Sequence, residues 1–156
     1  EVVPLRRETE IVMRYVEIQR IRLSGSFAFV LDIPPELEEA LVPKMMLQPI
    51  VENAILHGLA GRPDGAITVR ARQEEADLRL AVLDNGVGLP KEMEGPYAFR
   101  DQAETRGHLG LYNVDTILRK HYGEQFGLSL ENRPDGAGTV VTAVLPLHYK
   151  EDSSSC

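Results

Sequence analysis

Pro43-Lys44-Met45-Met46-Leu47-Gln48-Pro49-Ile50-Val51-Glu52-Asn53-Ala54-Ile55-Leu56-His57-Gly58 is the stretch whose reading decides the fold. Met46, Leu47, Ile50, Val51, Ala54 and Ile55 recur at the spacing of a wide apolar helical face, so the segment reads as a largely buried helix. Pro43 suits its first turn, where a missing N–H costs nothing, and Gly58 suits the position just past its end. Asn53 and His57 stand four residues apart and share a face, and Glu52 lies about 100° round the helix. Polar groups on an otherwise apolar helix need partners. Taken alone, Asn53 is most simply a hydrogen-bonded core amide and His57 a helix C-terminal histidine favoured by the dipole. An amide oxygen is also a suitable magnesium ligand, since hard cations take oxygen donors.

Downstream, Ile67, Val69 and Ala71 alternate as a strand, Leu78, Leu80 and Val82 alternate as another, and residues 73–77 join them as a hairpin. Asp84 continues the apolar face of the second strand, which places a carboxylate on the core side at the strand's end. In Asp84-Asn85-Gly86-Val87-Gly88 the two glycines permit positive φ and close backbone approach to a ligand; the plainer alternative is an Asx turn. Residues 86–107 hold no periodic pattern, and so long a stretch inside a small domain is often functional. Tyr97-Ala98-Phe99 is an apolar island within it, fit either to anchor a lid or to tether the loop to the core. Gly107-His108-Leu109-Gly110-Leu111 then leads into a helix, where free N–H groups make a phosphate site plausible although no P-loop or dinucleotide fingerprint is present. That helix carries Leu111, Val114, Leu118 and His121 on one stripe with Ile117 beside them, so His121 is expected to be packed. Strands at about 126–131 and 139–146, turning at Pro134-Asp135-Gly136, close the chain.

Upstream, a helix is expected over about 5–22, with Ile11, Tyr15, Ile18 and Arg22 on one stripe and Val12 and Val16 beside it. Ser24-Gly25-Ser26 breaks it, and Phe27, Phe29, Leu31 and Ile33 alternate as a strand stopped by Pro34-Pro35. A short helical turn over about 36–40 follows. Helix, strand, helix, two strands, long loop, helix and hairpin together predict a two-layer α/β sandwich: a mixed, mostly antiparallel five-stranded sheet covered by three helices. A doubly wound parallel fold would need stricter alternation.

The 156 residues suffice for one domain with a full core. A formal net charge of −7 argues against a nucleic-acid footprint but not against a nucleotide, which needs a few aimed donors and a cation. The single cysteine, Cys156, lies in the polar end Lys150-Glu151-Asp152-Ser153-Ser154-Ser155-Cys156, so no intrachain disulfide exists and a cytosolic setting fits. No apolar run approaches the roughly 18 residues of a membrane span. With no signal peptide and Glu1 in first place, the chain reads as a soluble piece of something longer. The four histidines, His57, His108, His121 and His148, show no metal-ligand spacing, and no serine, histidine and acid set suggests a nucleophile.

Residues 43–58, together with Asp84-Asn85-Gly86-Val87-Gly88, Gly110-Leu111-Tyr112-Asn113-Val114, Gly138-Thr139 and Tyr15-Val16-Glu17-Ile18-Gln19-Arg20-Ile21-Arg22, resemble the catalytic ATP-binding domain of sensor histidine kinases, in particular the LytS-like group, which shares the Bergerat fold of gyrase, Hsp90 and MutL. The resemblance runs from about residue 4 to 146. It implies that Asn53 coordinates magnesium bridging the ATP phosphates, that His57 replaces a basic residue reaching those phosphates, and that Asp84 accepts a hydrogen bond from the adenine amino group. Gly86 and Gly88 would let the chain pass close to the base, residues 89–107 would form the ATP lid, and Gly107, His108, Gly110 and Leu111 would shape its far hinge, with Thr139 beside the nucleotide. The group usually has glycine where His108 stands, and the related hydrolases often carry a general-base glutamate where this chain has Pro49. Glu52 is the nearest carboxylate, but it points elsewhere on the helix. Phosphoryl transfer to a protein is therefore favoured over water activation. The implied division is a helical segment over 1–24 leading from dimerisation and phosphoacceptor helices, an ATP-binding domain over 25–148 and a disordered tail over 149–156. The implied setting is the cytoplasmic part of a membrane-anchored bacterial receptor, making no membrane contact itself, with a response regulator as partner. Alternatives within the fold are an ATPase, a serine-protein kinase or a non-catalytic nucleotide sensor.

Overall fold

A computed structural model describes residues 1–22, 27–59, 64–102 and 108–150. Its strands are β1 (Val2–Pro4), β2 (Ala28–Asp32), β3 (Leu41–Pro43), β4 (Ala66–Glu74), β5 (Asp77–Asp84), β6 (Leu128–Asn132) and β7 (Thr139–Pro146). Its α-helices are α1 (Leu5–Arg22), α2 (Leu47–Asn53), α3 (Ala98–Gln102) and α4 (Leu109–Tyr122). Five strands form one sheet in the order β2-β4-β5-β7-β6, with β2 parallel to β4 and the remaining pairs antiparallel. Alternation dictates the layers: Ile67, Val69 and Ala71, Leu78, Leu80 and Val82, and Val141, Ala143 and Leu145 are all buried against the helices. The expected two-layer sandwich with a mixed sheet is the observed one.

Several local expectations are corrected. Pro43 does not open a helix; it ends β3, which pairs with β1 in a small second sheet. Met45, at φ 68°, interrupts the chain before α2 begins at Leu47. The buried Glu8 of α1 explains where α2 starts, because its carboxylate accepts the Met45 N–H at 3.0 Å and the Leu47 N–H at 3.1 Å. The end of the expected helix is a π-helical turn, Ala54–Gly58.

On α1 the buried stripe is Leu5, Glu8, Thr9, Val12, Val16 and Gln19, whereas Ile18 is 55% exposed. The stripe drawn through Ile11, Tyr15 and Ile18 is therefore rotated from the true contact line. α1 shares the common core, so the division expected at residues 24 and 25 runs between parts that pack together. On α4 the buried positions are Leu111, Val114, Asp115, Leu118 and Arg119, and His121 is exposed beside Tyr122 rather than packed. The first strand of the closing hairpin begins at Leu128, two residues later than expected.

The stretch after Gly86 is not without regular structure. It holds a 3₁₀ turn, Lys91–Met93, and the five-residue α3, with Met93 and Phe99 wholly buried. Gly107, residues 103–106, the Ser24-Gly25-Ser26 break, most of the turn over 61–65 and the tail from 151 to Cys156 lie outside the described residues. Among the described residues no helix is long and apolar enough to cross a membrane.

Candidate functional site

Asp84 ends β5 on its buried face and is 3% exposed. Its Oδ1 accepts the Gly86 N–H at 2.8 Å, which is an Asx turn, and the Thr139 N–H at 3.3 Å. The turn and a ligand-facing carboxylate are thus not exclusive alternatives. Asn85 serves structure: its Oδ1 accepts the Ala66 N–H at 2.8 Å and its Nδ2 donates to the Asp64 carbonyl at 2.9 Å, clamping the start of β4. Of the two loop glycines only Gly88 is left-handed, at φ 83°; Gly86 is buried without that requirement.

Opposite the strand ends, the close of α2 and its π turn present Asn53 and His57. His108 precedes α4 and is 7% exposed, with its Nδ1 2.6 Å from Asn53 Oδ1 and its ring centroid 4.6 Å from that of His57. Asn53, His57, His108, Asp84 and Thr139 line one cleft of about 170 Å³, walled by Val87, Gly88, Leu89 and Pro90. An adjoining hollow of about 70 Å³ shares Asn53, His57 and His108 and adds Pro49, Glu52, Leu56, Gly110 and Leu111. Gly110 brings α4 against α2, since a Cβ there would meet Pro49 Cβ at 3.5 Å. Glu52 sits toward α1: burial first, then the Glu52 charge, pushes the Tyr15 phenol above its ordinary range. The structure therefore gathers the described candidate site residues, except Gly86, around two contiguous hollows that share the Asn53–His57–His108 group, with Asp84 lining one and Glu52 the other.

Sequence reasoning missed two parts of this arrangement, Asn132 and Asp115, and marked Gly138 by resemblance without its steric role. Asn132, at the end of β6, bonds both backbone groups of Leu89. Gly138, at φ 121°, lets the start of β7 pass against Asp84; a Cβ there would fall 1.9 Å from the Asp84 carbonyl oxygen. Asp115, wholly buried, accepts from Arg100 of α3, from Arg119 at 2.9 Å and from the Leu128 N–H at 2.7 Å. Neither Asn132 nor Asp115 shows as a periodic or spaced motif; the available signal was a polar residue beside a turn or on a buried helical stripe. A larger concavity, about 450 Å³, opens on the outer face of the sheet along Val140, Thr142 and Val144; it is lined by Tyr97 but by none of the residues the resemblance assigns to the nucleotide.

The chemistry of the smaller cleft is that of a polar-ended slot. A buried carboxylate offers an acceptor at one end, and an amide oxygen and two imidazoles face the other, beside the N-terminus of α4.

The family of histidine kinase-, DNA gyrase B- and HSP90-like ATPases matches residues 39–149. The sensor histidine kinase YesM of Bacillus subtilis (strain 168) is 33% identical over 148 residues, 94% of this chain and 24% of YesM. The sensor histidine kinase BtsS of Escherichia coli (strain K12) is 35% identical over 147 residues, again 94% of this chain and 24% of that protein. The chain thus spans about a quarter of the length of these curated relatives. Among solved structures, the mycobacterial sensor histidine kinase MprB superposes with a TM-score of 0.70 at 23% identity, covering 96% of this chain and 99% of that one. The histidine kinase ThkA in complex with response regulator protein TrrA gives 0.69 at 19% identity, over 95% of this chain and 42% of that one. At these identities the structures establish likeness of fold.

Proposed function

Because the chain belongs to the histidine kinase-, DNA gyrase B- and HSP90-like ATPase family, we propose that it is the ATP-binding catalytic unit of a sensor histidine kinase. The observation that carries this reading is the convergence of Asp84, Thr139, Asn53, His57 and His108 on one cleft from four separate segments. Asp84 takes the adenine amino group, held for that purpose by the two N–H groups that fix its Oδ1. Gly88 and Leu89 flank the base, and Thr139 lies beside it. The triphosphate extends toward His57, His108 and the α4 N-terminus, where Gly110 and Leu111 bring backbone close. Gly86 serves the turn, and Gly107 belongs to the same hinge in sequence.

The donor set fits magnesium. Asn53 offers a neutral oxygen at the cleft, and phosphate oxygens and water are equally hard donors. Magnesium, when bound, supplies neutralisation of phosphate charge. The protein's share is then positioning, since phosphoryl transfer needs little covalent chemistry from its surroundings. Transfer breaks the bond between the γ-phosphorus and the β,γ-bridging oxygen and forms one to an imidazole nitrogen of a histidine elsewhere in the protein, releasing ADP. From there the group passes to an aspartate of a response regulator. Pro49 supports transfer over hydrolysis, because it leaves no base at the α2 position facing Gly110, and Glu52 sits toward Tyr15. The parent is read as a membrane-anchored receptor with this unit on the cytoplasmic side.

Calorimetry tests the assignment. The chain is expected to bind ATP with a dissociation constant on the order of micromolar and to gain affinity from magnesium. Asp84→Asn should weaken binding by roughly ten- to a hundredfold, the worth of a hydrogen bond to a charged acceptor. Asn53→Ala should remove the magnesium dependence and spare nucleoside binding. Unchanged affinity in Asp84→Asn would sink the adenine assignment, and steady ATP hydrolysis that needs Glu52 would favour the ATPase alternative.

A further inference from the structure

Asp84 fixes one side of the cleft, whereas the Gly88–Leu89 wall lies outside any strand and is held by a side chain from a distant part of the chain. Asn132 Oδ1 accepts the Leu89 N–H at 2.8 Å, and Asn132 Nδ2 donates to the Leu89 carbonyl at 3.1 Å, across 43 residues of sequence. One carboxamide thereby satisfies both polar groups of one backbone residue. Gly88, at φ 83°, passes so near that a Cβ there would lie 2.7 Å from the same Asn132 Oδ1. Asn132 is itself pinned at the end of β6. Its N–H donates to Glu94 Oε1 at 2.8 Å, and it pairs across the strands with Thr139. Thr139 in turn donates its N–H to Asp84 Oδ1. The acceptor and the wall are thus both referenced to one strand-end pair, Asn132–Thr139.

We propose that Asn132 is a positioning residue for the nucleoside side of the cleft: it sets where the Gly88–Leu89 backbone stands relative to Asp84, without touching the ligand. The inference rests on the nucleotide reading above. It separates the two ends of the ligand, because the Asn53, His57 and His108 end is built from α2, its π turn and the approach to α4, whereas among the described residues Asn132 bonds Leu89 and Glu94.

The test uses calorimetry on the whole chain and its Asn132→Ala and Asn132→Asp variants, with three probes: adenosine, ADP with and without magnesium, and magnesium tripolyphosphate. Loss of two neutral hydrogen bonds should weaken adenosine and ADP by the same factor, about tenfold in Asn132→Ala. The magnesium enhancement of ADP binding and the affinity for magnesium tripolyphosphate should not change. Asn132→Asp keeps the acceptor for the Leu89 N–H and loses the donor to its carbonyl. It should show the same selectivity, and it decides the matter if Asn132→Ala does not fold. Adenosine affinity equal to wild type in the folded variants, or an equal loss for adenosine and tripolyphosphate, overturns the proposal. A wild-type chain that binds none of the probes overturns the nucleotide reading itself, and this inference with it; that failure is recognised before any variant is made.

Discussion

At Gly138 the absence of one carbon is what lets β7 begin beside Asp84. A Cβ would lie 1.9 Å from the Asp84 carbonyl oxygen and 2.8 Å from Asn85 Cα, at a φ of 121° that other residues rarely adopt. Gly138→Ala must therefore part the ends of β5 and β7, and it is expected to destabilise the fold by about 2–4 kcal/mol, read as a lowered urea midpoint. Nucleotide affinity should fall as well, because the Thr139 N–H would leave Asp84 Oδ1. Asp84 was legible in the sequence because it continues the alternation of Leu78, Leu80 and Val82. Asn132 was not, because its partner Leu89 lies 43 residues away and nothing in the spacing joins them. The same limit applies to Gly86 and Gly88: the sequence marks both as permissive, and only the folded path shows that Gly88 alone needs it.

Among the elements, α3 was invisible because five residues carry no measurable periodicity and cannot form a stable helix alone. Tertiary contacts hold it. Phe99 is wholly buried, and Arg100 reaches Asp115 of α4 while lying 4.7 Å over the Tyr112 ring. Arg119 completes the group, bonding Asp115, the Pro96 carbonyl at 3.0 Å and the Glu124 carbonyl, with Tyr97 stacked on it at 4.6 Å. The apolar island at Tyr97-Ala98-Phe99 thus tethers the first part of the proposed lid to the body of the domain. Asp115→Ala would leave the Arg119 side chain, 6% exposed, with only the exposed Glu124 carboxylate at 4.0 Å as counter-ion. A loss of about 3–5 kcal/mol in chemical denaturation is expected, well beyond that of Arg100→Ala, which leaves the Asp115–Arg119 pair intact. The helix expected over 43–58 illustrates the opposite case. Its apolar face was readable, but its start was not, because Glu8, the residue that fixes it, comes from α1.

For the whole molecule, the layer arrangement was readable because it follows from the order and periodicity of long elements. The small β1–β3 sheet was not, since three-residue strands ending in proline leave no pattern. That sheet and Glu8 make α1 part of the fold. Leu5, Val12 and Val16 are wholly buried, and Glu8 caps the helix that carries Asn53. A chain shortened to residues 25–156 should lose its cooperative thermal transition, whereas residues 1–156 should unfold in one step. The edges of the sheet are also managed as a whole. On β6 the outward N–H groups of Leu128, Leu130 and Asn132 are taken by Asp115, Gly95 and Glu94. On β2, Asp32 holds ion pairs with Arg70 and Arg72 that lower its pKa below the ordinary carboxylate range.

The two ends of the described chain meet over one short segment. Pro4 stands opposite Leu41, Glu1 accepts the Lys44 N–H through its carbonyl, and Tyr149 bridges Ala40. A few glycine and serine residues could therefore join Lys150 to Glu1 into a ring, and the ring could be reopened at the exposed hairpin between Glu75 and Ala76. Such a permutant would begin at Ala76 and still carry every strand pair and both hollows. If it melts within a few degrees of the parent, the cleft is a property of neighbourhoods in space, and the order in which the chain visits them is incidental.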